Sequence, residues 1–92
     1  REATLLADVA AANEALAAAR AGDRGWDRDT IDAAARAAHL ARRPAARIAA
    51  VHLVQVVDRP GTDEDLARLH IADDAGDHEI VLGRRDGEWV AL

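Results

Sequence analysis

Residues 47–58 read RIAAVHLVQVVD, and whether this stretch is strand or helix decides the fold. Ile48, Val51, Val54, Val56 and Val57 are β-branched. Such side chains lose rotamer freedom in a helix but pack well on a pleated surface. The stretch therefore predicts a strand over residues 48–58. The rival reading starts a third helix at Pro44, a residue preorganised for the first helical position, and runs it through residues 45–57. In the strand reading Ala49, Val51, Leu53 and Val57 share one face, and Ile48, Ala50, Val54 and Val56 the other. Both faces are then apolar.

Working outward, Asp58-Arg59-Pro60-Gly61 has Pro and Gly where a turn needs them. Ala67, Leu69 and Ile71 then alternate with Arg68 and His70, the period of a strand with one wet face, over residues 66–73. A helix over 63–72 capped by Thr62, with Asp65 closing the box, is the alternative. Residues 73–77 form a turn, and strands follow at 78–84 and 88–92. In Arg84-Arg85-Asp86-Gly87-Glu88, a type I turn with Gly87 left-handed pairs Arg84 with Glu88. That register sets Leu82 opposite Val90, Ile80 opposite Leu92, and Trp89 over the bare backbone of Gly83.

Upstream, Leu5, Val9, Ala12, Leu16 and Ala19 recur at helical spacing and predict a helix over 2–20, ended at Gly22 and Gly25 with Asp23 in the turn. A second helix spans 28–42, capped by Asp27 or Asp29, with Asp32 placed to complete a box behind Asp29. Its apolar stripe is Ile31, Ala34, Ala35 and Ala38, Asp32 and Arg36 pair at i,i+4, and Pro44 stops it. The fold class is α+β: one domain, residues 1–92, of two N-terminal helices packed on a four-stranded antiparallel meander.

Composition narrows the function. Without Cys there is no disulfide, thiolate nucleophile or Cys-type zinc site, and without Ser there is no serine nucleophile. No P-loop, GxGxxG or HExxH occurs, so no cofactor is expected. The net charge of −5 is uneven, +1 over residues 1–47 and −6 over residues 48–92, and it disfavours a phosphate-tracking, nucleic-acid-binding surface. No apolar run is long enough to cross a bilayer. These absences point to a cytoplasmic protein, and a chain beginning at Arg1 is also compatible with a removed signal peptide. All twelve basic residues are Arg, which reflects a high-GC genome and not the fold.

Candidate functional residues are few. His52 falls among apolar neighbours on its strand, as a hydrogen-bonded core histidine or an acid/base group would. If the strands at 48–58 and 66–73 pair, His52 and His70 come within reach of each other, and two imidazoles with a carboxylate can bind a metal. The acids Asp73, Asp74 and Asp77 with His78, and Asp63, Glu64 and Asp65, are read as solvated turns, so no metal site is expected. Trp26 is read as a core plug, a hydrophobic anchor for the entry of the second helix, or a pocket wall, the core plug leading. The two apolar faces of strand 48–58 place a protein interface at Val51, Leu53, Val54 and Val56.

Two helices, a long strand and three more strands ending DGEWVAL resemble, over residues 28–92, the NTF2-like (SnoaL-like) superfamily, whose members often end in a hairpin with such a Gly-Trp pair. The resemblance implies a cone with a pocket between sheet and helices, dimerisation through the sheet, and His52 as acid or base of an isomerase or hydrolase, with Trp26 and His70 near the pocket. The chain departs from that pattern in being short, in lacking an element between helices and sheet, and in having only two aromatics. The leading expectation is a non-enzymatic interaction domain, a homodimer or a subunit of a larger assembly. The alternative is a small-molecule-binding protein or enzyme of NTF2-like shape.

Overall fold

Residues 48–57 do form a strand. The computed structural model describes residues 2–22, 25–59 and 64–92. Helices α1 (Glu2–Gly22) and α2 (Arg28–Arg42) precede strands β1 (Ile48–Val57), β2 (Leu66–Asp73), β3 (Gly76–Arg85) and β4 (Glu88–Ala91). The strands form one antiparallel sheet in the order β1-β2-β3-β4. The turn expected at Pro60 and Gly61, the Thr62 cap of the rival helix, Asp63 and Asp23 lie outside the described residues.

Both helices lie on one face of the sheet, α1 over β1 and α2 across β3 and β4. The molecule is two layers deep and only 18 Å through its shortest dimension. Leu53, Ala67, Leu69, Ile71, Ile80, Leu82 and Trp89 from the sheet meet Ala12, Leu16, Ala19, Ile31 and Ala35 from the helices. Alanine keeps the layers close while burying little area per residue.

Asp27, not Asp29, caps α2: its carboxylate accepts the Thr30 backbone N–H at 3.0 Å and the Thr30 hydroxyl at 2.8 Å. These bonds hold its pKa below the ordinary carboxylate value against the cost of desolvation, with a lesser contribution from the charge of Arg20. Asp32 closes no capping box; it pairs with Arg36 one turn on, as the spacing predicts.

Two irregularities reset the faces of β1. The ladder shifts between Ile48 and Ala50 and again between Leu53 and Gln55, leaving Ala49 and Val54 without partners on β2. Each extra residue rephases the alternation. Ile48 and Val56, expected opposite Val51 and Leu53, therefore pack on the same core as they do. The outer face is not uniformly apolar. It carries His52 opposite His70, Gln55 opposite Arg68, and an Arg68–Glu79 ion pair at 2.9 Å.

The last hairpin also differs from its expected register. Asp86 (φ 54°) and Gly87 (φ 82°) are both left-handed, which makes a two-residue type I′ turn. Arg85, not Arg84, faces Glu88; Gly83 faces Val90 and Leu82 faces Ala91. A one-residue slip exchanges the faces of a strand. Trp89 therefore lies opposite Arg84 on the helix side, and it is Leu92 whose side chain covers Gly83.

Trp89 consequently reaches the start of α2. Its ring meets Trp26 edge-on with centroids 4.8 Å apart, and its Nε1–H donates to the Gly25 carbonyl at 3.0 Å. The Arg84 guanidinium lies 5.2 Å from the Trp89 ring centroid and occupies the space a Cβ on Gly25 would need. Trp89→Ala should cost about 3–5 kcal/mol, a large part of the about 5–15 kcal/mol available to a domain of this kind. Urea unfolding followed by circular dichroism measures it, and a loss below about 1 kcal/mol would contradict this account of the core.

Candidate functional site

At the opposite end of α2 a carboxylate is buried. Asp73 is the last residue of β2 and continues the inward face set by Ala67, Leu69 and Ile71; its side chain is fully shielded from solvent. A charge in such a place is tolerated only when paired and hydrogen-bonded. Oδ1 accepts the Ala75 backbone N–H at 2.8 Å across the β2–β3 turn and the His78 Nε2–H at 3.0 Å. Oδ2 accepts the His39 Nε2–H at 2.7 Å, and Arg43 Nε stands 3.3 Å away as a charge contact. Next to it, Asp74 and Arg47 are joined by two bonds: Asp74 Oδ1 accepts the Arg47 N–H at 2.9 Å, and Asp74 N–H donates to the Arg47 carbonyl at 3.2 Å. These tie the start of β1 to the same turn.

His39 reaches Asp73 because Ile31, Ala35 and His39 follow at i,i+4 spacing down the buried stripe of α2. Arg43, the C-cap, stands one turn further on. His78 is the third residue of β3 and faces inward opposite Ile71. The two imidazole rings are 4.9 Å apart between centroids, tilted by 50°. His39 is nearly closed off, with its side chain 3% exposed, whereas those of His78 and Arg43 are 30% and 41% exposed, so the cluster opens to solvent on one side.

Burial opposes ionisation of Asp73, but the hydrogen bonds from His39, Ala75 and His78, with the charge of His78, outweigh it and hold the carboxyl well below its ordinary range. Around neutral pH the site is therefore an anion held between two imidazoles. His39, Asp73 and His78 also each offer a metal-capable donor atom, all within 4.8 Å of one another.

The residues singled out from sequence are dispersed. His52 is exposed on the outer face, directly across from His70, whose Nε2 lies 3.8 Å from Asp77. Trp26 is fully buried against Trp89. Leu53 is buried, and Val51 and Val56 pack against the core from its margin, so three of the four interface residues face the helices. Val54 sits at the bulge, half-buried. Two acids expected in solvated turns are buried instead. They are Asp73 and also Asp65, which accepts the Arg59 N–H at 2.8 Å and pairs with Arg84 at 3.2 Å. His39 was legible from its spacing behind Ile31 and Ala35; its partner 34 residues away was not.

Asp73→Asn keeps the shape but removes the charge that His39, His78 and Arg43 surround, so it should lower stability at neutral pH. Because the folded-state pKa is depressed, the carboxylate's contribution is fully present above its unfolded value and is lost as pH falls through the folded one. The gap between parent and Asp73→Asn should hold down to pH about 4 and close in more acid solution. Thermal melts at stepped pH test this, and parallel profiles for the two proteins would refute it.

Comparisons with protein-family models, curated proteins and solved structures return no match to this chain.

Proposed function

We propose that this chain is a non-enzymatic interaction domain that pairs with a second copy of itself along β1. The observation that carries the reading is the character of that edge. β1 spans ten residues, is hydrogen-bonded to β2 alone, and contains no Pro, Asp, Glu, Lys or Arg. Edge strands that must stay unpaired are usually short, charged or interrupted by proline. The other edge, β4, has four residues. The bulges at Ala49 and Val54 blunt the ends of β1 but leave a regular ladder from Ala50 to Leu53 between them.

The helix above that edge has the same character. α1 buries Ala12, Leu16 and Ala19, yet its solvent side presents Leu6, Ala7, Ala10, Ala11, Ala17, Ala18 and Ala21 around Glu14, with Asp8 and Arg20 exposed at the borders of that face. A helix that turns so alanine-rich a face to solvent is suited to being covered there by a partner. Antiparallel pairing of two β1 strands about a two-fold axis would set them about 4.8 Å apart and bring the two α1 helices side by side. Alanine faces permit the approach to about 8 Å that such packing needs.

Light scattering across a dilution series should find twice the 9.8 kDa chain mass at high concentration. Ala10→Glu and Val54→Asp, at exposed and half-buried positions, should each shift the protein to monomer with helicity retained. Val51→Asp should instead unfold it, since Val51 packs on the core. A monomeric parent at the highest concentration reached, or variants with the parental mass, would refute self-association.

A further inference from the structure

We propose that His39, His78 and Asp73 form a zinc site. The donor set is two imidazole nitrogens and one carboxylate, a combination suited to zinc and its first-row neighbours and not to calcium or magnesium. The donors come from the last turn of α2, the end of β2 and the start of β3, so regular elements on three sides hold them. They already converge. Each Nε2 points at one oxygen of the same carboxylate, at 2.7 Å and 3.0 Å, and the three donor atoms fall within 4.8 Å.

Zinc binds such donors at about 2.0–2.1 Å. An ion between the imidazoles and the carboxylate takes the place of the two Nε2–H···O bonds. Each imidazole then carries its proton on Nδ1 and presents a lone pair at Nε2. A carboxylate binds such an ion in its deprotonated form. The fourth position faces the open side, between His78 and Arg43, where water can reach it. Arg43 is the one group that opposes the ion, because its Nε stands 3.3 Å from Oδ2 and its charge competes for the same anion. Its side chain is 41% exposed, so it can swing into solvent.

The competing account is an ion-pair network that fastens α2 to the β2–β3 hairpin and binds no metal. The two accounts separate on titration of the chelator-treated chain with Zn²⁺, and with Co²⁺ as a visible probe. A zinc site binds one ion per chain, raises the melting temperature, and gives Co²⁺ the intense absorption of low coordination. His78→Ala, at a side chain 30% exposed and so compatible with folding, should weaken binding by at least about 100-fold, beyond the 10–100-fold typical of changes around the ligands. Arg43→Ala should tighten it. His52→Ala and His70→Ala, on the opposite face, should leave it unchanged. Circular dichroism of each variant confirms that it is folded. The proposal fails if no saturable binding is found, if His78→Ala binds as the parent does, or if binding is lost with His52 or His70 instead.

Discussion

The position of α2 depends on one buried charge. A carboxylate at the inner end of β2 would ordinarily be expelled toward water. Asp73 stays because a backbone N–H, two imidazoles and a guanidinium surround it. Because those groups come from α2, its C-cap and β3, satisfying the carboxylate fixes where the helix ends relative to the sheet. The far end of α2 is fixed by different means. There Trp26 packs edge-on against Trp89, whose N–H is bonded to Gly25. A polar anchor at one end and an aromatic one at the other set the angle and the register of the helix on the sheet. Neither alone would do so, since the intervening contacts are largely alanine.

What could be read from the sequence divides along the range of the interactions. Helix and strand identities follow from periodicity within a dozen residues, and the alternation of Ala67, Leu69 and Ile71 or the stripe of Ile31 and Ala35 carried that information directly. Register did not. The last hairpin hinges on whether one residue or two adopt positive φ, and Asp86 is among the few non-glycine residue types that tolerate it. The resulting slip of one residue moved Trp89 from the outer face to the core. The bulges at Ala49 and Val54 have no glycine to announce them, and they turned an apparently two-faced apolar strand into one that faces the helices.

The candidate site shows the same limit. His39 occupies the next position on a stripe that was recognised, so its burial was accessible from sequence. That its partner would be Asp73 required knowing that β2 ends beneath the last turn of α2. Acid-rich turns are usually solvated, and the local sequence around Asp73 and Asp65 offers no sign that one acid in each lies beneath a helix or an arginine. Partner choice across the fold is set by packing, which a local window cannot represent.

The two helices differ in how completely they are held. α2 has a capped start, a charged outer face and anchors at both ends. α1 is held by three small or medium side chains in the core, and Leu5 and Val9 are half-buried. Among the described residues its polar ties are a hydrogen bond from Arg28 to Asn13 and an Arg20–Asp27 contact at 4.0 Å, both exposed. Exposed ion pairs contribute little, and a buried alanine contributes less than a leucine. The element with the weakest attachment is thus the one that turns an alanine-rich face to solvent, and it lies over the sheet edge that lacks charges. Each feature alone is a small deficit. Together they describe a surface that a second copy would complete by pairing the edge and covering the helix at once.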